Sequence, residues 1–212
     1  MRPSIMSDAP GPISPKLLGV VLNGGKSSRM GKSKASLKHS DGHSFLDHAI
    51  EQLRHLCLDI VISTAKDSPE KTLGNHFNTI SDENESLGPL AGISTCLRHA
   101  AMKHFQACIF LPIDTPEIMH EDLTRLRDQW IIDTTKPVCA LHGKTNQLEP
   151  LISIIPTSLA RSAVKSVIQH ELAVHKWMYQ NHVSTVLFES SKLANINHPC
   201  EYKKLLGCDT DF

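Results

Sequence analysis

Residues Leu17 to Lys34, LLGVVLNGGKSSRMGKSK, constrain this chain more than any other stretch. Leu17 to Leu22 run without a polar interruption, the pattern of a strand buried on both faces. Asn23-Gly24-Gly25 then permits a sharp turn and a close backbone approach, because two of its residues lack a Cβ. Three cations follow at Lys26, Arg29 and Lys32, and a fourth at Lys34. A buried strand that ends in a glycine turn and a basic loop suits a polyphosphate: amide N–H groups face the anion and cationic heads neutralise it. Spacing excludes two familiar phosphate motifs. Five residues separate Gly25 from Gly31-Lys32-Ser33, one too many for a P-loop. The adjacent glycines, with Gly31 coming late, do not make G-x-G-x-x-G. A plain surface turn rich in Gly, Ser and Lys is the bland alternative for this segment taken alone.

The rest of the chain alternates strand and helix patterns. Asp41-Gly42 has turn chemistry, and Ser44 is placed to cap a helix whose apolar residues Phe45, Leu46, Ala49, Ile50, Leu53 and Leu56 fall at helical spacing. Strands are expected over 58–63, 77–80, 107–111, 137–141, 151–155 and 183–188. Helices are expected around 69–73 and from Pro89 through Ala101, then over 121–130, 157–169, 172–180 and 201–206, with a polar loop at 143–149. This predicts an α/β fold: one Rossmann-like three-layer domain with a mostly parallel central sheet and helices on both faces. Residues 1–15 hold four prolines and read as a disordered leader, 16–207 as the domain and 208–212 as a tail.

Composition removes several classes of function. Basic and acidic residues balance at 22 each, so an extended nucleic-acid surface is not expected. No apolar run approaches the roughly 18 residues of a membrane span, so a soluble, membrane-free, cytoplasmic protein is expected. The six cysteines lie far apart with no C-x-x-C pair, which reads as buried thiols in a reducing compartment. His170-Glu171-Leu172-Ala173-Val174-His175 is one residue too long for a zinc helix. At about 100° per residue its imidazoles would stand about 140° apart.

Three other segments carry chemistry. In DENESLGPLAG, Asp82 to Gly92, Gly88 lets the chain enter a helix that Pro89 begins, with the helix N-terminus aimed at the cleft. Ala107 to Leu111 empties into Pro112-Ile113-Asp114-Thr115-Pro116, setting Asp114 at the carboxyl end of a buried strand, where open α/β sheets bind ligands. A hard carboxylate there suits Mg²⁺, although an aspartate before Thr-Pro can also serve only as a turn device. Asn195-Ile196-Asn197-His198-Pro199 precedes the last helix.

LNGGKSSRMGKSK resembles the L-A-G-G-x-S-x-R-M-G-x-D-K signature of the nucleotidyltransferase superfamily, most closely its molybdenum cofactor guanylyltransferase branch, the MobA family. Asn23 stands where that family has alanine and Ser33 where it has aspartate. D-x-x-x-x-x-G-P-L-A-G, LPIDTP, Gln147-Leu148-Glu149-Pro150-Leu151 and Asn195–Pro199 resemble further family segments, with His198 and Cys200 as departures in the last. The resemblance implies transfer of GMP from GTP, with Mg²⁺, to the phosphate of molybdenum-bearing molybdopterin, releasing pyrophosphate. It implies Arg29, Lys34 and Asp114 as catalytic residues and Asp114 as metal ligand. Leu22, Asn23, Gly24, Gly25, Lys34, Ser63, Asp82 and Asp114 would border the nucleotide, and Gly88, Pro89 and Asn197 the second substrate. GTP-using members commonly carry asparagine where Ser63 stands, so guanine selectivity is expected to be looser or to rest on Asn23 and the glycine loop. A monomer that transiently contacts molybdenum-cofactor enzymes or their chaperones is also implied. Two alternatives stay open: a cytidylyl- or sugar-phosphate nucleotidyltransferase of the same fold, and an inactive nucleotide-binding homologue.

Overall fold

Leu17–Asn23 forms β1, and five of its first six residues are buried, as the unbroken apolar run requires. The computed structural model describes residues 15–23, 34–65, 77–82 and 87–207, with backbone only at Ala65 and Asp82. After β1 come α1 (Phe45–Arg54), β2 (Asp59–Ala65), β3 (Asn78–Asp82), α2 (Pro89–Met102) and β4 (Ala107–Pro112). Then follow α3 (His120–Ile132), β5 (Val138–His142), β6 (Leu148–Pro156), α4 (Ala160–Ile168), α5 (Val174–Gln180), β7 (Ser184–Phe188) and α6 (Pro199–Leu206). The strands make one seven-stranded sheet in the order β3-β2-β1-β4-β6-β5-β7. β1, β2, β3 and β4 are mutually parallel, and β6 alone runs against both its neighbours.

Alternation along β1 divides the core between two faces. Leu17 and Val21 pack with Ala49 and Leu53 of α1 and with Leu123, Leu126 and Trp130 of α3. Leu18 and Val20 pack on the other face with Leu90, Ile93 and Leu97 of α2, Ala163 of α4, and Trp177 and Met178 of α5. Val20 and Val21 are both 0% exposed, so neighbouring residues are buried on opposite faces. Each such side chain contributes about 1.5–3 kcal/mol relative to exposure. This is the three-layer α/β arrangement that the sequence predicts.

The structure corrects details. Leu58 lies outside β2 and is fully exposed, because the strand begins at Asp59. Leu148, Glu149 and Pro150 belong to β6 rather than to a loop, and α6 starts at Pro199 rather than at residue 201. His170 has a left-handed backbone, φ 56°, and separates α4 from α5. The two histidines of the near-motif therefore do not share a helix. The helix expected around 69–73 lies outside the described residues. Cys57, Cys96, Cys108 and Cys139 are buried as expected, whereas Cys200 is exposed.

Candidate functional site

Strand order reverses between β1 and β4: β2 and β3 extend from one side of β1, and β6, β5 and β7 from the far side of β4. Such a reversal opens a crevice outside the carboxyl ends of the strands. Parallel register brings the residues named from sequence to that edge: Leu22 pairs with Ser63 and with Pro112, and Asp82 pairs with Ala65. Ile113 N donates to the Leu22 carbonyl at 3.2 Å, tying the segment after β4 to β1. Asn23 and Ser63 are buried there. Arg29, Gly24 and Gly25 lie outside the described residues, as does the side chain of Asp82.

Three of the named residues meet at this edge. Lys34 opens a single 3-10 turn, Lys34–Ser36. Its Nζ donates to Asp114 Oδ2 at 3.1 Å and to Asn197 Oδ1 at 2.5 Å, across 80 and 163 residues of sequence. The Lys34 and Asp114 side chains are 16% and 26% exposed, so the pair lies in the mouth of the cleft rather than in the core. Below Asp114, Thr115 Oγ1 donates to the Pro112 carbonyl at 3.2 Å and fixes the turn.

Asn197 is held by the fold of its own segment. Ile196 N donates to the Asp114 carbonyl at 2.8 Å. The amides of Asn197 and His198 both donate to Glu201 Oε2, at 2.6 and 2.8 Å. These bonds, the Asn197 amide foremost, outweigh partial burial and hold the Glu201 carboxyl below its ordinary range. One turn on, Tyr202 OH donates to the Lys38 carbonyl at 2.8 Å and accepts from Lys38 N at 3.0 Å. Its ring meets Phe45 edge-on at 5.9 Å within a small cluster that includes Leu37 and Ile196. The segment is thus clamped on both sides of Asn197.

Gly88 caps α2 with φ 75° and Pro89 is the first helical residue. An added Cβ at Gly88 would meet nothing within 4 Å. The glycine is needed for its backbone angle and not for space.

Sequence reasoning assigned no role to Glu149. β6 runs antiparallel to β4, pairing Phe110 with Ser153, and Glu149 at its start lies within electrostatic reach of Asp114. Burial raises the Glu149 carboxyl, the Asp114 charge raises it further, and His142 acts in the opposite direction. One carboxylate, Asp114, and one side-chain amide oxygen, Asn197, therefore meet one ammonium group, with the Glu149 carboxyl within electrostatic reach of Asp114. The cation these oxygens hold is the Lys34 ammonium.

The model of the MobA-like NTP transferase domain matches residues 19–184. A probable molybdenum cofactor guanylyltransferase of Rhodopirellula baltica is 34% identical over 190 residues, spanning 88% of this chain and 90% of that protein. The chain belongs to the MobA-like NTP transferase family. A molybdenum cofactor guanylyltransferase of Pseudomonas fluorescens is 34% identical over 147 residues, 69% of this chain and 70% of that protein. The fold is also that of molybdopterin-guanine dinucleotide biosynthesis protein A from Archaeoglobus fulgidus, with a TM-score of 0.71 at 20% identity over 90% of this chain and 97% of that one. This member of the MobA-like family is accordingly an enzyme of the nucleotidyltransferase class. The family match includes Lys34 and Asp114 but ends before Asn197, whose place in the cleft is known from geometry. Among the described residues no helix is long and apolar enough to cross a membrane.

Proposed function

We propose that this enzyme moves GMP from GTP onto the phosphate of molybdenum-bearing molybdopterin and releases pyrophosphate. The observation that carries the reading is the meeting of Lys34, Asp114 and Asn197 at the switch point of the sheet. The nucleophile is a phosphate monoester, whose second pKa of about 6 leaves it largely ionised at neutral pH. No side chain has to remove a proton. An oxygen of that monoester forms the new bond to the α-phosphorus of GTP as the bond to the pyrophosphate oxygen breaks. What the protein contributes is position and charge.

The donors in the cleft fit a Mg²⁺ ion. Asp114 and Asn197 offer oxygens, and those oxygens already share a cation, the Lys34 ammonium. Asp114 would hold the ion, with Asn197 beside it, and the ion supplies neutralisation of phosphate charge when bound. Lys34 and Arg29 would supply the positive charge that holds the triphosphate. Asn23 and Ser63 border the base, and Asp82 the nucleoside. Gly88, Pro89 and the α2 N-terminus face the second substrate.

Pyrophosphate release tests the reading, measured with Mg²⁺, molybdopterin carrying molybdenum, and GTP, CTP or ATP in parallel. GTP is expected to be the best donor. A preference of about tenfold or more for CTP, worth some 1.4 kcal/mol, would overturn the guanylyl assignment while leaving the transfer chemistry in place.

A further inference from the structure

Behind the seat of Tyr202, the hairpin that leads into α1 gathers His39, Asp41 and His48. An antiparallel bridge between Lys38 and Ser44 closes the loop. His39 N donates to the His43 carbonyl at 2.8 Å and Gly42 N to the His39 carbonyl at 2.9 Å. Asp41 Oδ1 accepts the His43 amide at 2.8 Å. That bond turns Oδ2 toward two imidazoles, His48 Nδ1 at 2.8 Å and His39 Nδ1 at 3.1 Å. The rings stack with centroids 4.1 Å apart. His48 is 4% exposed and its Nε2 has no partner among the described residues, so this buried ring is anchored through Nδ1.

Hydrogen bonds alone leave a conflict here. His39 Nδ1 faces the Asp41 amide at 3.4 Å as well as Asp41 Oδ2. A ring nitrogen carries either a lone pair or a proton, so it cannot accept from the amide and donate to the carboxylate at once. A cation that takes the lone pairs of both Nδ1 atoms and of Asp41 Oδ2 joins the three without a proton between them, and gives up only the long 3.4 Å amide contact.

We propose that His39, Asp41 and His48 form a site for a divalent transition-metal ion of the zinc class, with a fourth position open to water beside the exposed Asp41. Two imidazoles and one carboxylate are a donor set for zinc, whereas Mg²⁺ takes oxygens. Metal–ligand distances of about 2.0–2.2 Å set tetrahedral ligand atoms about 3.3 Å apart. The observed separations of 2.8 and 3.1 Å need to open by only a few tenths of an ångström. The His43 amide on Asp41 Oδ1 orients the carboxylate in the way outer partners orient metal ligands. Bound there, the ion braces the hairpin whose Lys38 holds Tyr202, and through Tyr202 the segment that carries Asn197.

The test is calorimetric titration of Zn²⁺ into the chelator-stripped full chain, with millimolar Mg²⁺ present to occupy oxygen-only sites. One saturable equivalent is expected, with a melting temperature that rises with Zn²⁺ concentration. Asp41→Asn and His39→Ala should bind at least about a hundredfold more weakly, and Asp114→Asn should bind like the parent. Circular dichroism and the metal-free melting temperature establish that each variant folds. Should His39→Ala melt early, Asp41→Asn carries the test, because it keeps the turn hydrogen bond. Absence of a saturable equivalent in the parent, or an undiminished one in Asp41→Asn, would overturn the proposal.

Discussion

Replacing Asp114 with asparagine separates a structural role for this residue from a catalytic one. Asparagine keeps the size of the side chain and an oxygen for Lys34, and it serves turns nearly as well as aspartate. At 3.1 Å and an effective dielectric of about 20, the pair attracts by about 5 kcal/mol. Desolvation and lost side-chain freedom offset most of this, and both groups are partly in water. The net loss is therefore about 1 kcal/mol, which for a chain of this size lowers Tm by about 2–4 °C. Catalysis responds on another scale. A neutral amide binds Mg²⁺ far less well than a carboxylate and leaves charge on the transferring phosphate unopposed. Loss of one preorganised electrostatic contact costs on the order of a hundredfold or more in kcat, about 3 kcal/mol. The assay pairs a thermal melt with pyrophosphate release at saturating Mg²⁺. A small change in Tm with near-parental turnover would refute the reasoning, because it would make Asp114 a turn residue that merely pairs with Lys34.

Lys34→Ala removes the shared cation, and kcat/KM for GTP should fall at least about tenfold, one charge-assisted contact of ~1.5–3 kcal/mol; an unchanged kcat/KM would remove Lys34 from the phosphate site. Tyr202→Phe loses two hydrogen bonds to Lys38, which should cost about 1–3 kcal/mol in denaturant unfolding and lower turnover through Asn197; parental stability would show that the α6 clamp lies elsewhere. The Glu201 contribution depends on pH. Its folded value lies below the ordinary carboxylate range, so the stabilisation is complete above about pH 4.3 and is lost as pH falls through the folded value. Glu201→Gln should remove that part of the acid transition, and an unaltered acid profile would show that the capping bonds add nothing. Gly143→Ala would set a Cβ 2.8 Å from the Phe188 carbonyl oxygen, a backbone atom that cannot swing aside, and should cost about 1–3 kcal/mol of stability.

Where a signal lies along the chain, the sequence is a good guide to this protein. The unbroken apolar run of β1 announces a strand covered on both faces, and the aspartate after β4 announces the cleft. Contacts across the chain are different in kind. That Asn197 reaches Lys34 depends on how α6 docks against Phe45 and Lys38, and no periodicity encodes that docking. Only the likeness of Asn195–Pro199 to a family segment pointed there. Glu149 was hidden for a topological reason. It reads as part of a polar loop, and it approaches Asp114 because β6 runs antiparallel to β4, a direction that local propensity does not specify. His39, Asp41 and His48 read as turn chemistry and a helix start. Only the curl of the hairpin stacks the two rings.

The separation of 163 residues between Lys34 and Asn197 has a consequence for timing. A ribosome adding about 5–20 residues per second needs roughly 8–33 s to pass from the first to the second. Through that interval β1, β2, β3 and β4 can pair, and Asp114 can find Lys34, while the amide that completes the group does not yet exist. Long-range closures of this kind come late because the loop they close is costly to order. A nascent chain therefore exposes a charged, half-built cleft before it can position a substrate. The segment just before α6 is the piece that completes the contact with Lys34.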